Sequence, residues 1–207
     1  QDADGRSYYA WQQLGATYIA TMDPKDPAHV TSSPVRIVTP EYAWNAAIAE
    51  GPNVTLRDGK LYLMFSGSGV GKTYTTGLAV ADAAGSDLTD PASWTALNYP
   101  IQKSGPFNGE MQLGTGHGMW SEDEDGNQVY VFHAYATKNL GSVNATGRDM
   151  FVRRVHWAAD GMPVFDMSSS EELASKTVSV TVKVADDTVT VDKTDLSKAC
   201  LLYTSDA

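Results

Sequence analysis

Glu50 is the carboxylate in this sequence whose neighbours best suit acid–base chemistry. It is followed by Gly51, Pro52 and a predicted strand over residues 53–56. Glycine lets the backbone bend, and proline fixes its own φ and donates no ladder hydrogen bond, so the tripeptide would hold Glu50 at the start of that strand. A carboxylic acid held in this way can pass a proton to a leaving group. Taken alone, the tripeptide also fits, more simply, a glutamate in a surface turn.

The second candidate is His117, which lies in the run Gly-Thr-Gly-His-Gly over residues 114–118. Three glycines around one histidine bring the backbone close to another group and leave the imidazole uncrowded. His117 is therefore a candidate metal ligand, substrate contact or structural histidine, and the local sequence does not choose among these roles. His133 and His156 lie in predicted strands, where we expect them to serve packing.

The composition excludes several classes of protein. The 207 residues include 25 acidic and 15 basic side chains, a formal net charge of −10 and a pI near 4.7. A binder of nucleic acid or of an anionic membrane would show a basic patch, so neither partner is expected. The single cysteine excludes a disulfide framework and a Cys-rich zinc site. The sequence has no apolar run of about 18 residues, so we predict no membrane-spanning helix.

Three segments repeat one pattern, in which an Asp-Gly turn leads into an aromatic-rich alternating run and later reaches a tryptophan. The turns are Asp4-Gly5, Asp58-Gly59 and Asp125-Gly126. Asp-Gly supplies the positive φ of a tight hairpin, and aromatic and β-branched residues favour the strands that follow. The run over residues 60–65 is apolar on both faces, so both faces must be covered, as in the stacked four-stranded sheets of a β-propeller. We predict an all-β propeller, with a β-sandwich as the alternative.

A glycine-rich segment over residues 66–73 resembles a phosphate-binding loop but departs from it twice. Ser66 stands where that motif requires its first glycine. The residues that follow alternate as a strand does, whereas the motif needs a helix whose N-terminal amides hold the phosphate. We therefore interpret the segment as a hairpin loop.

Several motifs together resemble glycoside hydrolase family 43 in type and order, over roughly residues 2–165. They comprise the Pro-Glu-Tyr-Ala-Trp run, the Glu-Gly-Pro motif, an Asp-Gly turn with its apolar strand, the Gly-Thr-Gly-His motif, a Val-Phe-His-Ala strand and a Gly-Arg-Asp run: residues 40–44, 50–54, 58–66, 114–117, 131–134 and 147–149.

The resemblance implies a five-bladed β-propeller glycosidase that cleaves arabinose- or xylose-containing plant cell-wall polysaccharides or oligosaccharides with inversion. Glu50 would be its general acid. His117 would lie at the pocket floor and contact substrate or a calcium ion, directly or through water, and no other cofactor is expected. Trp44 and Trp120 are candidates for stacking on sugar rings, with core packing as their alternative. The alternative function is a non-catalytic carbohydrate-binding or structural propeller.

The resemblance covers only part of that propeller. We assign blades three to five to residues 1–165, a polar linker to residues 166–176 and the start of a second β module to residues 177–199. Residues 200–207 resemble translated sequencing adapter and are expected to be non-native. The family's base aspartate, and the aspartate that tunes the acid, would precede Gln1. The acidic composition and the second module suggest an extracellular enzyme.

Overall fold

A computed structural model describes residue 2, residues 4–136 and 147–172, and the backbone of residues 177–184 and 187–195. The chain forms two compact units, Gln1–Arg154 and Val155–Ala207. Within the described part of the chain, no helix has the length and apolar character needed to cross a membrane.

The first sheet of the larger unit contains four antiparallel strands. One strand, Ala16–Asp23, pairs with each of the other three. A two-residue turn at Leu14 and Gly15, with φ values of 50° and 80°, joins the first two strands. Positive φ at both central residues matches the right-handed twist of a hairpin, so this turn fixes the register of the pair. The strands are β1 (Ser7–Gln13), β2 (Ala16–Asp23), β3 (Asp26–Val30) and β4 (Val35–Val38).

The second sheet has four strands side by side in chain order and contains the predicted Asp-Gly hairpin. Asp58 and Gly59 have φ values of 47° and 76°, as the Asp-Gly signal predicted. The strand Lys60–Gly67 is buried from Leu61 to Gly67, because a neighbouring sheet covers each face of this second sheet. The strands are β5 (Ala49–Arg57), β6 (Lys60–Gly67), β7 (Thr75–Asp82) and β8 (Thr95–Ala96), with a short 3-10 helix (Pro91–Ser93) before the last.

The third sheet also has four strands side by side in chain order. Its longest strand, Glu110–Glu122, pairs with the preceding strand on one side and with the following strand on the other. A turn at Asn108 and Gly109, with φ values of 50° and 80°, joins the first two strands. The strands are β9 (Gly105–Phe107), β10 (Glu110–Glu122), β11 (Gln128–Tyr135) and β12 (Arg148–Arg154).

The three sheets pack face on face, as predicted for blades. Between the first and second sheets, Ile19, Leu63 and Phe65 belong to one buried cluster. Between the second and third sheets, the hydroxyl groups of Thr76 and Tyr130 are 2.6 Å apart and buried. A sandwich would bury one face of each of two sheets, whereas here the middle sheet is covered on both faces.

Two of the three repeated acidic turns share one hydrogen-bond pattern. Asp2 Oδ1 accepts from the backbone N–H groups of Asp4 and Arg6 at 3.0 and 2.8 Å. Asp123 Oδ1 accepts from those of Asp125 and Asn127 at 3.1 and 2.7 Å. The repeat read from the sequence is therefore a repeat of structure at these two turns.

In its described residues, the smaller unit contains two pairs of antiparallel strands. The strands β13 (His156–Trp157) and β14 (Pro163–Val164) pair, as do β15 (Thr177–Val184) and β16 (Asp187–Asp195). The second pair lies where the start of a second β module was expected. The division between units, after Arg154, precedes the expected start of the linker at residue 166. Residues 196–207, with the expected non-native tail, lie outside the described residues.

Candidate active site

A bulge interrupts β5 immediately after Glu50. Glu50 pairs with Ser66 and Asn53 pairs with Met64, so a step of three residues on β5 faces a step of two on β6. Pro52 lies in the bulge, where the ladder hydrogen bond that proline lacks is not required. Glu50 is therefore the second residue of the strand, and the expectation that the strand begins at residue 53 is wrong.

His117 reaches this bulge from the neighbouring sheet. The strand β10 changes register on both sides of Gly116, and His117 itself has a φ of 49°. A β-carbon on Gly51, whose φ is 62°, would lie 3.2 Å from the His117 imidazole, and one on Gly116 would lie 2.5 Å from the Tyr74 ring. Glycine at these two positions therefore permits close approach, which the sequence pattern predicted for the glycines around His117.

A chain of hydrogen bonds joins Glu50 to His117 through Tyr74. The Tyr74 hydroxyl donates to Glu50 Oε1 at 2.5 Å and lies 3.0 Å from His117 Nδ1. Because that hydroxyl has one proton and gives it to Glu50, His117 Nδ1 is the donor in the second bond. The backbone N–H of His117 donates to Ser66 Oγ at 2.6 Å, which ties β10 to the strand opposite Glu50.

Tyr74 is a neutral donor over the working range of most enzymes. Burial raises its pKa, and the hydrogen bond to Glu50 raises it further, while a hydrogen bond with Ser66 lowers it. The side chain is 1% exposed, whereas Glu50 is half-buried and His117 is exposed. The site is therefore a buried phenol that presents a carboxyl group and an imidazole toward solvent.

His133 and Arg148 border this group. The His133 ring stacks on Tyr74, with centroids 5.6 Å apart and planes 7° apart. Burial, together with the charge of Arg148 and the proximity of His117, lowers the pKa of His133 to about 4. The ring is thus neutral near pH 7, and its Nε2 accepts from Arg148 Nη1 at 3.0 Å. An arginine is thereby held beside Tyr74, although the sequence had assigned His133 to packing alone.

The sequence model for glycosyl hydrolases family 43 matches residues 1–163. The chain belongs to this family. Among characterised relatives, it is 30% identical over 175 residues to an extracellular exo-α-(1→5)-L-arabinofuranosidase of Streptomyces avermitilis, covering 78% of this chain and 35% of that protein. It is 30% identical over 177 residues to α-L-arabinofuranosidase 43 of Humicola insolens, covering 79% of this chain and 36% of that protein. The chain thus spans about a third of the length of these relatives.

Solved structures show the same fold. A crystal structure of an α-L-arabinofuranosidase from Lactobacillus brevis matches with a TM-score of 0.66 and 28% identity, covering 76% of this chain and 50% of that one. A thermostable family-43 glycoside hydrolase matches with a TM-score of 0.65 and 24% identity, covering 84% of this chain and 57% of that one. The stacked sheets of this family-43 chain are therefore β-propeller blades, as predicted.

The two tryptophans expected to bind sugar are placed by other contacts. Trp44 stacks on Phe65 with centroids 6.1 Å apart, and its indole N–H donates to the Asn98 carbonyl at 2.9 Å. The indole N–H of Trp120 donates to the Tyr62 carbonyl at 3.1 Å. These contacts anchor both rings, and their stacking on sugar rings stays a prediction, whereas Tyr74 brings Glu50 and His117 together.

The residues around His117 do not by themselves form a calcium site. Calcium prefers six to eight oxygen ligands, and among the described residues no three His, Cys, Asp or Glu side chains converge. The Nδ1 atom of His117 is also occupied by Tyr74. Contact of His117 with a calcium ion, directly or through water, therefore stays a prediction.

Sequence reasoning missed Tyr74, and it noted Ser66 and Arg148 only as parts of motifs. A topological signal for them existed. Ser66 is the second-last residue of β6, Tyr74 immediately precedes β7 and Arg148 begins β12, so all three lie at strand ends, as Glu50 does. Antiparallel neighbours place the end of one strand beside the start of the next. These positions therefore lie at the same end of their sheets.

Proposed function

We propose that this chain carries the general acid of an inverting glycosidase that releases arabinose, or the related pentose xylose, from plant cell-wall polysaccharides or oligosaccharides. The observation that carries the proposal is the 2.5 Å hydrogen bond from Tyr74 to Glu50, which holds a half-buried carboxyl group beside His117. Family membership supports the reaction class, and the arabinofuranosidase names of the relatives favour arabinose.

The proposed chemistry needs two carboxyl groups with opposite tasks. In an inverting glycosidase, an acid protonates the departing oxygen while a base about 6.5–9.5 Å away activates water on the other face of the sugar. Glu50 supplies the first group. We propose that the base belongs to a part of the protein outside this chain, since the chain spans about a third of the length of its relatives. Two relatives are named extracellular enzymes, so we propose that the whole protein is also secreted.

The test compares two substrates in the full-length protein and its Glu50→Gln variant. An arabino-oligosaccharide has a poor leaving group and needs the acid, whereas a dinitrophenyl arabinofuranoside leaves readily without it. We expect kcat/KM on the oligosaccharide to fall by about 10²- to 10⁴-fold, with far less loss on the activated substrate. Glu41→Gln, at an exposed glutamate, is the charge-matched control.

Three results would contradict the proposal, each on a different point. Equal loss on both substrates would remove Glu50 from the role of acid. Absence of turnover by the unaltered full-length protein, combined with measurable sugar binding, would favour the non-catalytic carbohydrate-binding propeller. Inversion is tested separately by following the anomer first released with NMR, since retention would exclude the single-displacement mechanism.

A further inference from the structure

We propose that Tyr74 is a positioning residue that fixes the orientation of the Glu50 carboxyl group and the tautomer of His117 at once. This inference rests on the proposed role of Glu50 as the acid. The geometric basis is one phenol oxygen that lies 2.5 Å from Glu50 Oε1 and 3.0 Å from His117 Nδ1.

The direction of these two bonds determines which carboxyl oxygen carries the transferable proton. An oxygen that accepts from Tyr74 acts as the carbonyl oxygen of a protonated carboxyl group, so the proton of Glu50 resides on Oε2. During proton transfer, the O–H bond at Oε2 breaks as a new O–H bond forms on the departing sugar oxygen. Glu50 becomes a carboxylate, whose Oε1 is already hydrogen-bonded to the phenol.

The same phenol determines which nitrogen of His117 faces outward. Because the Tyr74 hydroxyl donates its hydrogen bond to Glu50, His117 must donate from Nδ1 to the phenol oxygen. The neutral ring then presents the Nε2 lone pair. That nitrogen can accept from a sugar hydroxyl or from water. Tyr74 thus orients Glu50 as a proton donor and His117 as a hydrogen-bond acceptor.

The Tyr74 ring is held tightly enough to serve this purpose. It is 1% exposed, stacks on His133 at 5.6 Å and fills the space that a side chain at Gly116 would occupy. The preceding loop is tied down as well, since Ser104 Oγ donates to the Lys72 carbonyl at 2.6 Å. Groups that must be held within a fraction of an ångström need such support.

The test is Tyr74→Phe in the full-length protein, with Tyr130→Phe as the matched control. Each variant removes one buried phenol hydroxyl, but the Tyr130 hydroxyl contacts Thr76 between the sheets. We expect Tyr74→Phe to lower kcat/KM on an arabino-oligosaccharide by about 10- to 100-fold, as loss of a hydrogen bond to a charged group would. The loss on a dinitrophenyl arabinofuranoside should be much smaller, and Tyr130→Phe should affect both substrates alike.

A spectroscopic measurement separates positioning from mere packing. In ¹⁵N NMR at about pH 9, where imidazole is neutral, His117 should be protonated on Nδ1 in the unaltered protein and mainly on Nε2 in Tyr74→Phe. Tyr130→Phe should keep the Nδ1 form. An unchanged His117 tautomer in folded Tyr74→Phe, or a substrate dependence matching that of Tyr130→Phe, would overturn the inference.

If Tyr74→Phe does not fold, 3-fluorotyrosine at position 74 preserves the packing. Its ¹⁹F resonance should shift when Glu50 is changed to glutamine, whereas 3-fluorotyrosine at position 130 should not respond. Absence of that shift would also overturn the inference. The proposed function fails on a different result, the behaviour of Glu50→Gln alone, so the two failures can be told apart.

Discussion

The acidic turns and the Glu50 site are built from bonds of very different range along the chain. In the turn at Asp123, the carboxylate accepts from groups two and four residues away, the backbone of Asp125 and Asn127. In the site, Tyr74 meets Glu50 across 24 residues and His117 across 43, and His117 meets Ser66 across 51. The turn is closed by its own few residues, whereas the site exists only once the second and third sheets have packed.

This difference also appears in how the glycines are used. Gly59 and Gly126 adopt positive φ in their turns and would meet nothing within 4 Å if given a β-carbon. Gly114 adopts positive φ as well, but its β-carbon would lie 2.0 Å from the Gly71 carbonyl oxygen. Backbone conformation alone requires glycine in the turns, while near the site a neighbouring loop requires it too.

The largest effect is therefore expected from Gly114→Ala, compared with Gly59→Ala. Both changes place alanine at a positive φ, which costs about 1–2 kcal/mol of unfolding free energy. Gly114→Ala must in addition displace the Gly71 backbone, and we expect its total cost to exceed about 3 kcal/mol.

Urea unfolding of both alanine variants and the unaltered protein measures these costs. Equal losses would mean that the loop carrying Gly71 moves aside freely. The site would then be no more rigidly specified than the turn, which would contradict the contrast between the two regions.

An intermediate effect is expected from pH, through His133. Its pKa is lowered to about 4 in the folded protein by burial, Arg148 and His117, against about 6.5 in an unfolded chain. Between these values the unfolded state binds more protons, so the unfolding free energy falls as pH drops from about 6.5 to about 4. His133→Gln should reduce this slope, while His29→Gln, at an exposed histidine, should not.

The titration of His133 can be followed by NMR alongside urea unfolding across that pH range. A midpoint near that of a free histidine would mean that the ring is not buried against Tyr74 as described. If the midpoint in the unaltered protein is lowered but the slope of the unfolding free energy against pH is unchanged in His133→Gln, the pH dependence arises from other groups.

How far the sequence could be interpreted follows the same contrast of range. The Asp58-Gly59 hairpin and the stacked sheets could be predicted, because turn chemistry and alternation act over a few residues. Glu50 and His117 could also be selected as candidate site residues from the residues immediately beside them in the sequence. Tyr74 and the stacking role of His133 could not be predicted in this way. Their partners are distant in sequence and are fixed only by strand register and by the packing of one sheet on another.

The smallest effect is expected at the Asp123 turn. Its hydrogen bonds with the Asn127 side chain and with nearby backbone lower the pKa of Asp123. The ionised form therefore stabilises the fold above the ordinary aspartate pKa, about 3.9, and this contribution is lost as pH falls through the lowered folded value. Asp123→Asn should unfold at lower urea than the unaltered protein at pH 7, and the gap should close at acidic pH. Asp125→Asn makes the same charge change at a neighbouring exposed residue and should produce a smaller gap. A pH-independent gap, or an equal one in Asp125→Asn, would show that the turn is stabilised by backbone geometry and not by its carboxylate.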